Sequence, residues 1–279
     1  MKRGNNDLPC IELRHPSGAQ LDVCLHGAHA VSWRSADGGQ NLFMSSKTVF
    51  APDMPIRGGI PIVFPQFGDG PLPKHGFARV TGWDLLDTRL HESGYAEARL
   101  GLHENAETMQ VWPHEFRMEI SFRLKAQELE VALAVMNTGK GEISFNIGLH
   151  TYFLVDDIAK VMVSGLAGAR FIDFLGSRQE EKERREKITI DRETDRVYPN
   201  APDRVLLHGI AGGRGMAIEK HGMRDIVIWN PWIEKSMRME DFGDLDYLSM
   251  VCVETGNLRG RVTLEPAAMH KSSTTFTLA

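Results

Sequence analysis

Two titratable side chains stand in strongly apolar stretches of the sequence. His150 lies in the run FNIGLHTYFL, and Glu254 ends the apolar part of MVCVETG. An unpaired polar group or charge is costly to bury, so such residues are usually hydrogen-bonded to a partner or belong to a functional site. The residues alone leave two interpretations open, a satisfied histidine and carboxylate of the core, or a site of proton chemistry.

A second group of residues is basic and rich in turn formers. Arg57 precedes a glycine pair in IRGGIPIVFPQFGDG, and Lys74, His75 and Arg79 lie together in KHGFAR. Glycines allow the backbone to approach a ligand closely, and guanidinium groups match the oxygens of phosphate. These residues could therefore hold a phosphate, although a basic surface loop would have the same composition.

Two further motifs are compatible with sugar binding. Asp195 in ETDRVY could bind hydroxyl groups, but it could equally cap a turn. Trp229 and Trp232 flank Asn-Pro in VIWNPW, and the C–H faces of sugars stack on such rings. Packing in the core explains the two indoles as well.

The elements that would position these residues are predicted to be strands. Short apolar or alternating runs are broken by Gly, Pro, Asn and Asp, and helical periodicity is nearly absent. Ala19 to Trp33 predicts a hairpin that turns near His26-Gly27, and Phe116 to Met136 predicts another that turns near Ala126-Gln127. Further strands are predicted in 142–155, 160–174, 215–228, 248–254 and 262–278. A dozen or more strands predict an all-β fold, a large antiparallel β-sandwich.

Length and composition favour one large globular domain over residues 1–279. The net charge of −5 gives no reason to expect binding to nucleic acid or to an anionic membrane, and no apolar run suggests a signal peptide or a span. Cys10, Cys24 and Cys252 are odd in number and widely spaced, and they form neither CxxC pairs nor a disulfide ladder. A reducing, cytoplasmic location fits this pattern best.

Several common catalytic motifs are missing from the sequence. It contains no GxxxxGK[ST] loop, no strand-linked GxGxxG, no HExxH and no GxSxG. The nearest metal-like spacing, His26-x-x-His29, would place its two side chains on opposite sides of an extended strand. We therefore predict no cofactor, no metal and no covalent nucleophile.

The segment Arg178 to Lys187 consists almost entirely of charged residues of both signs. Such a segment is typical of a solvated loop or helical turn. A role in binding a partner is the alternative.

Taken in order, six motifs give a stronger indication than any one of them. The chain resembles the glucose-6-phosphate 1-epimerase branch of the aldose 1-epimerase, or mutarotase, family, from Gly18 to the last predicted strand. The motifs are RGGIPIVFPQFG, KHGFAR, GLHTYF, TDRVY, WNPW and VCVETG. This resemblance implies a β-sandwich of the galactose mutarotase-like type, with a sugar site in a groove across one sheet and no cofactor.

The resemblance also implies roles for individual residues. His150 would be the general acid at the ring oxygen, and Glu254 the general base at the anomeric hydroxyl. Asp195 and His75 would bind sugar hydroxyls. Arg57 and Arg79 would hold the substrate by its phosphate, and Lys74 could either reinforce phosphate binding or shift the preference between sugars. Lys74 departs from the glutamine that often precedes the His-Gly pair in this family, and Gly256-Asn257 replaces small alanine-like residues.

The implied reaction opens a hemiacetal and closes it on the other face of the carbonyl. Ionised Glu254 would take the C1 hydroxyl proton while protonated His150 donates to the ring oxygen. A hexose 6-phosphate is the expected small-molecule partner of a monomeric enzyme. The alternatives are a mutarotase for unphosphorylated aldoses, a sugar-binding protein without turnover and, less compatible with a histidine–glutamate pair, a glycoside hydrolase.

Overall fold

The computed structural model describes residues 2–3 and 8–279, and most of this chain lies in three sheets. All ladders between the strands of these sheets are antiparallel, as predicted. The N-terminal sheet has the order β1-β2-β3-β4, with β1 (Lys2–Arg3), β2 (Pro9–Arg14), β3 (Gln20–Cys24) and β4 (His29–Arg34).

An eight-stranded sheet has the order β14-β13-β16-β19-β20-β10-β5, and β11 also pairs with β20. Its strands are β5 (Ile62–Val63), β10 (Ile143–Leu149), β11 (Tyr152–Leu154), β13 (Arg170–Asp173), β14 (Glu180–Lys182), β16 (Thr194–Tyr198), β19 (Asp225–Asn230) and β20 (Met250–Leu264).

A nine-stranded sheet has the order β15-β12-β17-β18-β21-β9-β8-β7-β6. Its strands are β6 (Asp84–Leu90), β7 (Ala96–His103), β8 (Phe116–Leu124), β9 (Glu128–Asn137), β12 (Met162–Ser164), β15 (Lys187–Thr189), β17 (Arg204–Ile210), β18 (Arg214–His221) and β21 (Met269–Leu278).

The core lies between the sheets because their strands alternate apolar and polar side chains. In β8, every second residue from Phe116 to Leu124 is buried, while the residues between them are more exposed. One apolar cluster joins all three sheets and includes Leu21 of β3, Phe122 of β8 and Phe145 of β10. Burial of each large apolar side chain contributes about 1.5–3 kcal/mol, so this cluster dominates the stability of the sandwich.

A second apolar cluster covers the other face of the eight-stranded sheet. It includes Val197 of β16, Val227 and Trp229 of β19, and Cys252 of β20. Apolar residues therefore line both faces of these central strands, which explains the nearly continuous apolar runs of β19 and β20.

Helices form only a small part of the described chain. Helix α1 (Ala106–Val111) begins with a capping box between Asn105 and Thr108, and α2 (Trp232–Arg238) begins where the Trp232 N–H donates to Asn230 Oδ1. Neither has the length or the apolar run that crossing a membrane requires.

The sequence predicted most strands but not all of their bounds. Both predicted hairpins are confirmed, as β3–β4 and β8–β9. The segment 142–155 is split into β10 and β11, and β20 extends ten residues beyond Glu254. The segment Arg178–Lys187 is not a helical turn, because it supplies β14 and the first residue of β15.

The expectation that the cysteines form no disulfide was wrong for one pair. Cys10 and Cys24 lie opposite each other in the register of β2 and β3 and are joined by a disulfide, whereas Cys252 is free and buried. The pairing depends on strand register, which the spacing of the cysteines does not reveal. The cysteines therefore give no support to a reducing compartment.

Candidate active site

The floor of the candidate site is formed by three neighbouring strands of the eight-stranded sheet. In their register, Asp195 of β16 lies opposite Trp229 of β19, and Val227 of β19 lies opposite Glu254 of β20. Residues directly opposite each other share a face of the sheet, and so do residues two apart on one strand. The register therefore brings Asp195, Trp229 and Glu254 to one surface.

His150 reaches this surface because the chain leaves the ladder for two residues. Both β10 and β11 pair with β20, Leu149 opposite Thr255 and Tyr152 opposite Cys252. Between them, the His150 N–H donates to the Pro61 carbonyl instead of to β20. The side chain then contacts Glu254, with 3.3 Å between His150 Nε2 and Glu254 Oε1.

A pocket of about 350 Å³ opens above this contact, a volume within the range of small-molecule sites. Six of the seven predicted site residues line it, namely Arg57, Lys74, His75, His150, Asp195 and Glu254. The sequence motifs that are distant in the chain are thus brought to one cavity.

Arg79 is the predicted residue that does not line the pocket. Its Nη2 donates to the Lys74 carbonyl over 2.7 Å, and its buried Nε has no partner among the residues that the structure describes. Burial lowers the pKa of Arg79 to about 10, a value that keeps the guanidinium charged at neutral pH. Arg79 therefore acts on the site through its charge, which interacts with Arg57 and Glu254, and through its hydrogen bond to the Lys74 turn.

Arg57 is held by two residues that the sequence analysis did not identify. Its Nη2 lies 3.0 Å from Asp241 Oδ2, and its Nη1 donates to the Tyr152 hydroxyl over 2.9 Å. Although burial opposes the charge, Tyr152 and Asp241 raise the pKa of Arg57. The Tyr152 ring in turn stacks on His150 with centroids 4.8 Å apart, so Asp241, Arg57, Tyr152 and His150 form one connected group.

His75 is poised as a neutral hydrogen-bond donor. Burial, together with the charges of Arg79 and Lys74, lowers the pKa of His75 to about 3. Its Nδ1 accepts from the Gly68 N–H at 3.3 Å, which places the ring proton on Nε2. The ring lies edge to face with His150, at 5.4 Å between centroids.

Burial drives the two central groups toward their neutral forms. It lowers the pKa of His150 well below its ordinary value, helped by His75 and Arg57, and it raises the pKa of Glu254 well above its ordinary value, helped by Asp195. The sequence-based expectation was protonated His150 beside ionised Glu254. The two descriptions hold the same number of protons, and they differ only in which partner carries the shared one.

Each of these groups also keeps one buried atom without a partner in the described chain. These atoms are His150 Nδ1 and Glu254 Oε2. Buried polar atoms are seldom left unpaired, because the loss of hydrogen bonds to water costs about 1–3 kcal/mol each. The carboxylate therefore has capacity to bond a ligand.

Lys235 and Trp229 complete the lining opposite the basic turn. Lys235 Nζ lies 3.1 Å from Glu193 Oε1 and 5.7 Å from the centroid of the Trp229 ring. Trp229 lines the pocket, whereas Trp232 packs on Tyr247, with ring centroids 5.2 Å apart. Lys235 was missed because a lysine on a short helix looks like any surface lysine.

The spacing His26-x-x-His29 serves the backbone of the loop that carries Arg57. His26 Nε2 bonds the Met54 carbonyl and His29 Nε2 the Gly58 carbonyl, each over 2.8 Å. Within residues 8–279 the structure shows no group of three His, Cys, Asp or Glu residues arranged to hold a metal.

Comparisons with known proteins agree with this geometry. The family model for aldose 1-epimerase matches residues 9–277. A protein from Escherichia coli strain K12, named as a candidate glucose-6-phosphate 1-epimerase, is 36% identical over 91% of this chain and 85% of its own.

Solved structures give the same answer for the fold. The crystal structure of a candidate mutarotase from Salmonella typhimurium superposes with a TM-score of 0.88 at 31% identity, over 97% of this chain and 90% of that one. A galactose mutarotase-like protein from Lactobacillus casei shares the fold with a TM-score of 0.79 at 18% identity, over 97% and 100% of the two chains. The predicted galactose mutarotase-like sandwich is confirmed, and the chain belongs to the aldose 1-epimerase family of isomerases.

Proposed function

We propose that the protein interconverts the α and β anomers of a hexose 6-phosphate, with D-glucose 6-phosphate as the first substrate to test. The observation that carries this proposal is the contact of 3.3 Å between His150 Nε2 and Glu254 Oε1 at the floor of a pocket with basic side chains. The relative from Escherichia coli named for the same activity on glucose 6-phosphate supports the choice of substrate.

The proposed reaction begins from the state in which the shared proton lies on His150. Glu254 takes the proton from the C1 hydroxyl while His150 donates to the ring oxygen, and the C1–O5 bond breaks to give the open-chain aldehyde. The pair is then neutral, with the proton on Glu254. After rotation about C1–C2, closure on the opposite carbonyl face reverses both transfers.

Burial supports such a cycle because it affects the two states of the pair differently. The neutral pair, which the pKa shifts favour, is the state that accompanies the open-chain sugar. The charged pair, which accompanies the closed ring, differs from it by one proton moved between adjacent groups. The cycle therefore returns to its starting state without exchanging a proton with solvent.

The remaining lining residues are proposed to bind the sugar and its phosphate. Asp195 and the Nε2–H of His75 are placed to bond hydroxyl groups, and Trp229 offers an aromatic edge. We propose Lys74 and Lys235 as the cations that meet the phosphate, because each ammonium group has three donors and one carboxylate partner, Asp69 and Glu193 respectively. Arg57, in contrast, is held by both Asp241 and Tyr152. Arg79 would act through the turn that carries Lys74.

Saturation transfer by NMR between the two anomers tests the proposal directly. We expect exchange with glucose 6-phosphate to exceed that with glucose, galactose and galactose 6-phosphate, and to depend on His150 and Glu254. Binding of these sugars without any exchange would instead identify a sugar-binding protein, and faster exchange with glucose than with its 6-phosphate would identify a mutarotase for free aldoses.

The interleaving of the sheets supports a single domain over residues 1–279. The eight-stranded sheet combines β5 near the start of the chain with β20 near its end. We propose that this domain acts as a monomer, which sedimentation at several concentrations would test.

A further inference from the structure

The charged segment Arg178–Lys187 forms one wall of a second groove. The groove has a volume of about 470 Å³ and is lined by five basic and two acidic side chains, with Phe171 at its base. The basic residues are Lys182, Arg184, Arg185, Arg192 and Arg196. This formal excess of three positive charges contrasts with the net charge of −5 of the whole chain.

Two of the four acidic residues of the segment, Glu180 and Glu183, are held in ion pairs. Glu183 is 3% exposed and accepts hydrogen bonds from the side chain and backbone N–H of Arg185 and from the Tyr198 hydroxyl. Although burial opposes ionisation, these bonds lower the pKa of Glu183 to about 2. Glu180 pairs with Arg170 over 2.6 Å. Lys182 and Arg184 are exposed and have no ion pair with any residue the structure describes. Among the described residues, the lining charges without an ion pair are therefore those of Lys182, Arg184 and Glu181, which leave one net positive charge.

A largely buried arginine, Arg196 of β16, lines the groove together with the exposed Lys182 and Arg184. The side chain of Arg196 is 11% exposed, its Nε lies 3.1 Å from Asp173 Oδ2, and its guanidinium carbon lies 5.1 Å from the centroid of Phe171. Its two terminal nitrogens make no hydrogen bond with any residue that the structure describes. A guanidinium held at one edge presents its other edge for bidentate bonding to an oxyanion.

The groove is separate from the candidate active site. Asp195 lines the active-site pocket and Arg196 lines the groove, and consecutive residues of a strand point to opposite faces. The two cavities share no lining residue. A ligand in the groove would thus not be the sugar undergoing anomer exchange.

We propose that this groove is a second binding site, for the phosphate group of a small phosphorylated molecule, with Arg196, Lys182 and Arg184 as its ligands. A compact cavity with an arginine fork and flanking cations fits one phosphomonoester. A long polyanion is disfavoured because Glu180 and Glu186 flank the groove and the rest of the molecule is net negative.

NMR titration of the isotopically labelled full chain with glycerol 3-phosphate, at constant ionic strength, tests this inference. We expect saturable shifts of the Arg196 Nε–H and of the amides of residues 182–185. The double variant Lys182→Ala/Arg184→Ala should weaken this binding by about tenfold or more, since each charged hydrogen bond is worth about 1.5–3 kcal/mol. The matched control Lys160→Ala/Arg204→Ala removes two exposed cations outside the groove and should leave the affinity unchanged.

Three results would overturn the inference. The first is a set of shifts that grow linearly without saturation in the wild-type protein. The second is an equal loss of affinity in the two double variants, which would indicate a general charge effect. The third is a response of these signals to heparin but not to glycerol 3-phosphate, which would assign the groove to polyanions.

Discussion

Two buried glutamates on different sheets have opposite surroundings. Glu97 on the nine-stranded sheet and Glu254 on the eight-stranded sheet are each 3% exposed. Arg89, His91 and Arg123 bond both oxygens of Glu97. Glu254 contacts His150 through one oxygen, and its other oxygen has no partner in the described part of the chain. Burial favours the neutral form of both carboxyl groups. Hydrogen bonds from Arg123, His91 and Arg89 nevertheless lower the pKa of Glu97, whereas the pKa of Glu254 is raised.

The comparison separates a carboxylate that stabilises the fold from one that is available for chemistry. A buried carboxylate with all its bonds made inside the protein has a fixed charge and no capacity for a ligand. A buried carboxylate that is only partly bonded has a pKa that depends on its neighbours, and it keeps a free lone pair for a ligand. Incomplete bonding thus supports the proposal that Glu254 is the reactive member of the two.

The largest expected effect is the loss of anomer exchange in Glu254→Gln. Positioned proton transfer contributes about 10²- to 10⁴-fold, so we expect kcat to fall by that amount. His150→Asn should behave in the same way. Saturation-transfer NMR gives the rate and thermal unfolding checks the fold, which should be as stable as the wild type because the amide removes a desolvated acid. Near-native rates in both variants would refute the assigned roles.

Glu97→Gln should show the converse behaviour. Breaking a buried ion pair typically costs about 3–5 kcal/mol, and here the Arg89 and Arg123 guanidinium groups lose their common partner. We expect a loss of about 3 kcal/mol in the free energy of unfolding, measured in urea, with anomer exchange within twofold of the wild type. An active-site defect without any loss of stability would contradict the distinction between the two glutamates.

A smaller effect is expected at the lysines of the pocket. Lys235→Ala and Lys74→Ala should each raise KM for glucose 6-phosphate by about tenfold, the value of one charged hydrogen bond. The KM for glucose should change less, because glucose has no phosphate to lose contact with. Lys160→Ala serves as a control, since Lys160 is exposed and remote from the lining. Equal changes for the two sugars would exclude a phosphate role for the lysines.

The smallest effect concerns pH. The active pair carries one shared proton, and with unperturbed groups this state would span about pH 4.3 to 6.5. Because the pKa of His150 is lowered and that of Glu254 is raised, both limbs of the kcat/KM profile should move outward. Asp195 raises the pKa of Glu254, so Asp195→Asn should move the alkaline limb to lower pH. An unchanged or upward-moving alkaline limb in this variant would contradict the electrostatic account.

The sequence predicted Glu254 far better than Glu97 for a physical reason. Glu254 interrupts an apolar run, and that is visible in one dimension, whereas Glu97 occupies an ordinary polar position in the alternation of β7. Alternation also predicted the sandwich and both hairpins. The burial of Glu97 arises only when Arg89 and Arg123 arrive from neighbouring strands.

Other parts of the site depend on contacts between distant segments. Arg57 and Asp241 meet only after the chain has folded, and nothing local marks the aspartate as a partner. The same holds for the stacking of Tyr152 on His150 and for Lys235 near Trp229. Family motifs predicted six of the lining residues as site residues but could not show that Arg79 does not line the pocket.

Strand β20 runs without a break beneath the gap between β10 and β11, and the pocket residues differ in the kind of element that carries them. Glu254 lies on β20 and His150 lies in the gap between β10 and β11, whereas Lys74 and Lys235 lie on a turn and a short helix. Replacing the turn or the helix should therefore change which sugar enters the pocket, while the distance between His150 and Glu254 stays the same. In this architecture, the elements that determine substrate selectivity can be changed independently of those that carry catalysis.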